Sequence, residues 1–105
     1  MKMRKTKIKT RPYDSARYLD TPEAIAAYLT EALETEDSPF IASALGTVAR
    51  AKGMSGVARK AGLSRENLYR SLDGHTKPEL DTVIRVLGAV GVTLSASPKR
   101  RSKAG

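Results

Sequence analysis

Apolar residues recur at intervals of three and four along most of the chain, and this spacing marks one face of an α-helix. Glycine, proline and short polar stretches separate the periodic segments from one another. The pattern predicts a last helix that follows Pro78 and ends at Gly91, and four earlier helices at residues 22–35, 39–52, 55–61 and 64–72. Five helices with short connections and no internal repeat indicate an all-α bundle.

Helix-start signals support these boundaries. Thr21 and Ser38 each precede a proline, and a hydroxyl residue followed by proline suits the free N–H groups of a first helical turn. Ser55 and Ser64 are predicted to cap the two short helices. After the last helix, the six residues "VTLSAS" at 92–97 allow a short C-terminal strand, provided that they find a partner to pair with.

The last helix carries two apolar stripes and is therefore expected to contact two neighbours. The first stripe consists of Leu80, Val83, Ile84 and Leu87. The second stripe consists of Val86 and Val90, and with Val92 and Leu94 it is predicted to form the surface on which two copies associate. The alternative is that this second stripe belongs to the core and lies under residues 13–19.

Composition narrows the classes of function. The 105-residue chain has a formal net charge of +8 and an isoelectric point of about 10.1, which favours an anionic partner such as nucleic acid. It has no cysteine and one histidine, and it shows no catalytic triad pattern or phosphate-binding glycine loop, so no enzyme, metal site or cofactor is predicted. No apolar run reaches the roughly 18–20 residues of a membrane span, and no secretory signal is evident. We therefore expect a cytoplasmic protein without a membrane partner.

The charges are distributed unevenly along the chain. Residues 14–37 are mainly acidic and residues 50–77 are mainly basic, while both ends of the chain are basic. Charged segments without apolar periodicity are expected to be disordered in isolation. We therefore predict a disordered basic tail at 1–12, a folded domain at 13–96 and a second disordered basic tail at 97–105.

The segment "MSGVARKAGLSRENLYRSLDG", at residues 54–74, carries the most specific pattern in the chain. It predicts two short helices joined by a turn of three or four residues that contains glycine, which is the helix-turn-helix arrangement. Gly62 suits a turn position with positive φ, and Leu63 fills the corner between the helices. Ala58 is small, as required where the two helices approach each other most closely.

The second short helix has polar side chains suited to reading DNA. A helix of this kind fits the major groove, where arginine pairs with guanine and glutamate accepts a hydrogen bond from cytosine. With Leu68 and Leu72 facing the core, the predicted base-contacting residues are Arg65, Glu66, Tyr69 and Arg70. The alternative is that Arg65 only stacks on Tyr69, and that Glu66 and Arg70 form an ordinary ion pair on a solvated face.

Contacts with the DNA backbone need hydrogen-bond donors rather than a base code. The predicted phosphate-contacting residues are Ser55, Ser64, Asn67, Thr76 and Lys77. Lys77 is alternatively a solvated loop lysine, and His75 is expected to be a loop residue rather than a catalyst. Because a single short recognition helix discriminates weakly, two copies are expected to bind adjacent half-sites of double-stranded DNA.

Two stretches of the sequence resemble the family of probable addiction-module antidote proteins. They are "ALGTVARAKGMSGVARKAGLSRENLYRSLDG" and "KPELDTVIRVLGAVGVTL", and with the similar upstream stretch "YDSARYLDTPEAIAAYLTEALE" the likeness covers about residues 13–95. The resemblance implies a five-helix, lambda-repressor-like (Xre/Cro-type) DNA-binding domain whose recognition helix is 64–72. It also implies an antitoxin that neutralises a RelE/ParE-superfamily toxin encoded beside it and represses its own operator as a homodimer.

The sequence departs from the usual family pattern at three places. Gly56 replaces a polar residue, often glutamine, that such helices direct at a phosphate. Lys77 stands where asparagine often precedes the proline, and Glu79–Leu80 replace a serine and an aromatic residue. These departures concern the finer DNA contacts rather than the fold.

Two other classes of function are compatible with the same residues. A pure protein inhibitor would use the helix-turn-helix only as a scaffold, and acidic residues 14–37 would mask a basic toxin. A phage-type or housekeeping regulator would bind DNA without a toxin partner. The fold alone does not separate these functions.

Overall fold

The computed structural model describes residues 19–99, and the predictions for residues 1–18 and 100–105 lie outside the described part of the chain. Five α-helices follow one another: α1 (Pro22–Glu34), α2 (Ser38–Lys52), α3 (Met54–Ala61), α4 (Arg65–Ser71) and α5 (Leu80–Ala89). The predicted all-α fold with five helices is confirmed. None of these helices is both long and apolar enough to cross a membrane.

The described chain contains no strand, so the strand considered for residues 92–97 is not formed. Residues 92–99 are coil, because a strand needs a neighbour for its backbone groups and the rest of the described chain is helical. Lys99, predicted as part of a disordered tail, lies with its Nζ 3.1 Å from Oε2 of Glu36. Both side chains of this pair are largely exposed, and the contact adds little to stability.

Two of the predicted helix caps are confirmed. Oγ1 of Thr21 accepts a hydrogen bond from the N–H of Ala24 at 3.1 Å, at the start of α1. Oγ of Ser64 accepts from the N–H of Asn67 at 3.0 Å, at the start of α4. Each bond satisfies one of the N–H groups that a first helical turn leaves without a partner.

The other two predicted caps are wrong. Asp37 caps α2, since its Oδ1 accepts from the N–H of Phe40 at 3.1 Å, and Ser38 is already the first helical residue. The start of α3 has no side-chain cap, and Ser55 lies inside its first turn. Only Gly53 separates α2 from α3, which leaves no place for a separate capping residue.

The core takes one face from each helix. Helix α5 packs mainly on α3, and α1 packs on α2. The largest fully buried side chains are Ile25, Leu45, Val48, Leu68 and Val86. Burying a side chain of this size stabilises the fold by about 1.5–3 kcal/mol. Because isolated helices of 7–15 residues are marginal in water, this shared core holds the helices together.

The two apolar stripes of α5 do not divide into one buried and one exposed stripe, because Val83 and Leu87 of the first stripe are buried together with the second stripe. Val86 and Val90 are 0% and 4% exposed and belong to the core of the single chain. They are therefore not available as a surface between two copies, and they belong to a core stripe, as in the alternative. Of residues 13–19, which that alternative placed over the stripe, only Leu19 lies in the described part of the chain, and it belongs to the same core. Val92 packs partly against the core, and Leu94 is 39% exposed. Leu80 and Ile84, by contrast, are 64% and 50% exposed. Apolar residues cover more than half the circumference of α5, so periodicity alone did not indicate which part its neighbours cover.

Candidate nucleic-acid interface

A tight turn links α3 to α4 and sets the angle between them. Gly62 follows α3 with φ 75° and ψ 31°, a left-handed conformation that costs a residue with a side chain more than it costs glycine. The N–H of Leu63 reaches back to the carbonyl of Ala58 at 2.9 Å, and the N–H of Gly62 reaches that of Arg59 at 3.2 Å. These two bonds form a Schellman motif, which ends α3 and starts the turn. The predicted positive φ at Gly62 is confirmed.

Helix α4 rests on the core by one apolar edge. Leu68 is 0% exposed, and Leu72, which follows the last turn, is 3% exposed. With this edge buried, the rest of the short helix faces solvent. The exposed side chains are those of Arg65, Glu66, Asn67, Tyr69 and Arg70, which include all four predicted base-contacting residues.

Two pairs of side chains interact on the exposed face of α4. The guanidinium carbon of Arg65 lies 5.5 Å from the ring centroid of Tyr69, and Nη2 of Arg65 is 3.4 Å from the Tyr69 hydroxyl. Nη2 of Arg70 donates to Oδ1 of Asn67 at 2.6 Å. The stacked pair considered for Arg65 and Tyr69 is therefore present. The ion pair considered for Glu66 and Arg70 is not formed.

These contacts orient the side chains and leave part of their bonding capacity unused. Within residues 19–99, the Glu66 carboxylate makes no salt bridge and accepts no side-chain hydrogen bond. Arg65 and Arg70 each have five N–H donors and use one of them here. The face of α4 therefore offers both donors and an acceptor to a further molecule.

The predicted phosphate-contacting residues are exposed as well. Ser55 lies in the first turn of α3, and Thr76 and Lys77 lie in the loop between α4 and α5. Ser64 uses its hydroxyl oxygen as an acceptor for the cap, so its O–H group is free to donate. In the loop between α4 and α5, the N–H of His75 donates to Oδ1 of Asp73 at 2.7 Å, and this bond shapes the turn.

Two features that position α3 and α4 were not predicted from the sequence, and the first is Arg85. Nη1 of Arg85, on α5, donates to the carbonyl of Ala61 at 3.1 Å, and Nε of the same residue pairs with Asp81 at 2.9 Å. A cation at the end of α3 also interacts favourably with the negative end of its dipole. The spacing of Asp81 and Arg85 indicates a local pair, but nothing in the sequence indicated the contact with Ala61.

The second of these features is Gly46, in the middle of α2. A Cβ atom added there would lie 2.8 Å from the carbonyl oxygen of Leu72, at the end of α4. The absence of a side chain therefore lets the backbone of α4 approach α2 closely. The glycine was the available signal, since glycine inside a helix often marks such an approach.

Charge is separated along the described chain. From the last turn of α2 to the loop before α5, the chain has seven exposed basic residues and two exposed acidic residues. The basic residues are Arg50, Lys52, Arg59, Lys60, Arg65, Arg70 and Lys77, and the acidic residues are Glu66 and Asp73. Residues 19–37 contain six exposed acidic residues and no lysine or arginine. The α3–α4 segment thus attracts an anionic polymer, whereas α1 repels one.

The sequence places the chain in a known family of proteins. Residues 9–98 match the family described as "probable addiction module antidote protein", and the chain belongs to this family. A protein of Haemophilus influenzae, described as "uncharacterized protein", is 41% identical over 88 residues, which cover 84% of this chain and 91% of that protein. No solved structure matches the chain at a significant level. Membership indicates an antitoxin role, with a toxin of some kind as the partner.

Proposed function

We propose that this protein is the antitoxin of a type II toxin–antitoxin module. It neutralises a toxin of the RelE/ParE superfamily and binds operator DNA as a homodimer, which represses transcription of the module. Helices α3 and α4 act as a helix-turn-helix within a lambda-repressor-like domain, and α4 is the recognition helix. The antitoxin role rests on family membership, and the DNA-binding role rests on the α4 surface.

The observation that carries the DNA-binding proposal is the division of α4 into a buried and an exposed side. Leu68 holds the helix on the core, while Arg65, Glu66, Tyr69 and Arg70 extend into solvent on a seven-residue helix. A solvated helix needs no such set of hydrogen-bonding groups, and the Schellman turn holds α4 at a defined angle to α3. These features suit insertion of α4 into the major groove.

Each residue of this surface has a role that its chemistry suggests. Arg65 and Glu66 lie in the first turn of α4, which enters the groove deepest, and they read guanine O6 and N7 and cytosine N4. Tyr69 supports Arg65 by stacking, as the 5.5 Å separation allows, and contacts a thymine methyl group. Arg70 contacts a base edge or a phosphate, and its bond with Asn67 limits the positions that its side chain reaches.

Backbone contacts position α4 in the groove. The hydroxyl groups of Ser55 and Ser64, the amide nitrogen of Asn67 and the loop residues Thr76 and Lys77 donate to phosphates on either side of it. The first N–H groups of α3 add further donors, since that helix start has no side-chain cap. Gly56 adds no side-chain contact of its own.

The DNA-binding proposal is tested with the promoter region upstream of the gene. The logarithm of the binding constant should fall with the logarithm of salt concentration, with a slope of about −0.9 for each phosphate neutralised. Arg65→Ala should weaken binding by roughly 1–3 kcal/mol and relax the preference at one base position. The matched variant Lys77→Ala should weaken binding to all sequences alike and reduce the slope by about 1. Binding that does not respond to salt would contradict DNA recognition by this surface.

The proposal of a toxin partner is tested with the reading frame next to this gene. We expect that frame to be of about the same size and its product to be basic and toxic when expressed alone. Co-expression of this chain should suppress the toxicity. The acidic residues of α1 and the α1–α2 loop favour a basic partner through charge complementarity. If no neighbouring product is toxic, the chain is a regulator without a toxin.

A further inference from the structure

Residues 92–97 have the sequence pattern of a β-strand but no strand to pair with. Their side chains, "VTLSAS", alternate strictly between apolar and polar, as in a strand with one buried face. We call these six residues the C-terminal segment. In the described part of the chain they form neither helix nor turn, and the backbone groups of residues 93–98 make no hydrogen bond there. Such a row of open N–H and C=O groups is a template for pairing with another chain.

The C-terminal segment lies beside α1 in a nearly extended conformation. Just before it, a Cβ atom added to Gly91 would lie 3.5 Å from Cγ of Pro22, the first residue of α1. Just after it, Nζ of Lys99 lies 3.1 Å from Oε2 of Glu36, which follows the end of α1. The 13 residues of α1 rise about 20 Å, and the eight residues 92–99 reach at most about 29 Å. The segment thus has little slack, so ordering it as a strand costs little conformational freedom.

We propose that the C-terminal segment pairs, as an added edge strand, with an exposed strand of the toxin. When an extended peptide adds to the edge of a sheet, main-chain hydrogen bonds give affinity and alternate side chains give specificity. The toxin supplies the neighbouring strand that the rest of the described chain lacks. This inference rests on the antitoxin role of the proposed function and identifies the segment that holds the toxin.

The charges around the segment favour a basic protein as the occupant. Residues 92–98 carry no charge, and the helix beside them exposes Glu23, Glu31 and Glu34. Since residues 19–37 contain no lysine or arginine, this surface attracts a positively charged protein and repels a nucleic acid. A second copy of the chain is disfavoured as well, because strand pairing would bring two acidic α1 helices close together.

The orientation of Val92 indicates which backbone groups face the toxin. Its N–H donates to the carbonyl of Leu87 at 2.9 Å and therefore points into its own chain. Along a strand, the backbone groups of successive residues point to opposite sides. The groups of Leu94 and Ala96 therefore point inward as well. Those that face outward, toward the toxin, belong to Thr93, Ser95 and Ser97.

Hydrogen exchange of single amides tests this pairing directly. The full chain is compared alone and in complex with the product of the reading frame next to this gene. In the complex, the amides of Thr93, Ser95 and Ser97 should exchange at least about tenfold more slowly. The amides of Leu94 and Ala96 should change much less. No protection, or equal protection at all five positions, would overturn the proposed strand.

A matched pair of proline variants tests the same bonds through affinity. Ser95→Pro removes an outward N–H and leaves a toxin carbonyl unpaired, so it should weaken binding to the neighbouring product by about tenfold. Ala96→Pro removes an inward N–H that no described group accepts, and it should bind within about threefold of the wild type. Titration calorimetry measures both affinities. Equal affinities of the two variants would contradict strand pairing.

Unfolding temperature and promoter binding separate this role from a role in folding. Because the backbone groups of residues 93–98 make no hydrogen bond in the described chain, neither proline should lower the unfolding temperature. Both variants should also keep the promoter affinity of the wild type. A lower unfolding temperature for Ser95→Pro alone would mean that the segment stabilises its own chain, which overturns the proposal.

Charge reversal tests where the toxin sits. Glu34→Lys lies in the last turn of α1, and Glu79→Lys lies before α5, at the end of that helix remote from the segment. Both changes add the same charge to the chain. Glu34→Lys should slow association with the neighbouring product by about tenfold at low salt, and Glu79→Lys should slow it much less. Equal slowing would contradict a toxin placed beside α1.

The outcomes also distinguish this inference from the function on which it rests. If a second copy occupies the segment, the chain alone should show the alternating protection as its concentration rises, and the proposal fails. If the neighbouring product binds with alternating protection but is not toxic, strand pairing stands and the antitoxin function fails. If that product is toxic and neutralised while Ser95→Pro binds it as the wild type does, the function stands and this inference fails.

Discussion

At the residue scale, single atoms decide how closely the chain at the end of α4 approaches α2. Gly46 lies inside α2, where alanine would favour the helix by roughly 1 kcal/mol. The carbonyl oxygen of Leu72 occupies the space that a Cβ atom would need, at 2.8 Å. That oxygen belongs to the backbone and cannot rotate away as a flexible side chain would. The close approach of the Leu72 carbonyl to α2 therefore outweighs helix propensity at this position.

Gly46→Ala should destabilise the protein by about 1–3 kcal/mol, because overpacking forces the backbone of α4 to shift. Gly56→Ala is the matched control: Gly56 also lies inside a helix, but no described atom outside its own helix lies within 4 Å of the added Cβ. This control should stabilise the protein by about 0.5–1 kcal/mol. Urea unfolding of the three proteins measures both effects, and a loss of equal size at both positions would contradict the close approach.

A second residue-scale prediction concerns the start of α2. Asp37→Ala should cost about 1 kcal/mol of unfolding free energy, since its carboxylate accepts from the N–H of Phe40 at 3.1 Å. Ser38→Ala should change stability by less than about 0.5 kcal/mol, because Ser38 is exposed and makes no cap. Thermal unfolding compares the two variants, and a larger loss for Ser38→Ala would mean that the serine is the cap after all.

At the element scale, Arg85 connects two helices that are distant in sequence, α3 and α5. Its guanidinium bonds with the last carbonyl of α3, 24 residues away, and with Asp81 on its own helix. A Cβ atom at Gly62 would lie 3.0 Å from the same guanidinium. Arg85 therefore links α5 to the end of α3, directly beside the turn that leads to α4.

Arg85→Met should cost roughly 1 kcal/mol, because it keeps the apolar stem but leaves the Ala61 carbonyl without this donor. Asp81→Asn removes only an exposed ion pair and should cost less than about 0.5 kcal/mol. Hydrogen exchange provides a local readout. The amides of Gly62 and Leu63 should exchange faster in Arg85→Met than in Asp81→Asn, and equal rates would exclude a role for Arg85 in holding the turn.

Helix α4 illustrates why an element of this fold has no stability of its own. Seven residues form fewer than two full turns, and a helix of that length is unstable in water. The cap of Ser64 satisfies an N–H group in its first turn, and the buried Leu68 ties it to the rest of the molecule. The surface proposed to read DNA is thus rigid only because the core behind it is packed.

At the scale of the whole molecule, the core determines which faces of its helices remain for partners. Val86→Ala should lower the unfolding free energy by about 2–3 kcal/mol, because the side chain is 0% exposed and its loss leaves a cavity. Ile84→Ala should change it by less than about 0.5 kcal/mol, since half of that side chain is exposed. Denaturant unfolding at a concentration low enough for monomers measures both. A larger loss for Ile84→Ala would contradict the burial of Val86 and the exposure of Ile84.

Charge at this scale separates two regions of the described chain. The basic residues of α3, α4 and the following loop favour a polyanion, and the acidic residues around α1 favour a basic protein. A chain that carries both regions suits two partners of opposite charge. This division supports a protein that meets both a nucleic acid and a toxin, as proposed above.

Much of this fold could be predicted from local patterns. Helix positions followed from apolar spacing and from signals such as Thr21, Ser64 and Gly62, whose effects act over three or four neighbouring residues. The exposure of the α4 side chains followed from Leu68, because one buried residue sets the orientation of so short a helix. The cap predicted at Ser55 is wrong because α3 already begins at Met54, directly after Gly53, which has no side chain to cap it.

By itself, then, the sequence determined the number, order and approximate limits of the helices and the polar face of α4, because these depend on interactions between near neighbours. Only the tertiary structure decided that α5 turns Val86 inward and Leu80 and Ile84 outward. It alone also decided that Gly46 admits the end of α4 and that Arg85 reaches Ala61. These outcomes depend on which surfaces distant helices cover, and a pattern that is apolar on two sides leaves that choice to packing.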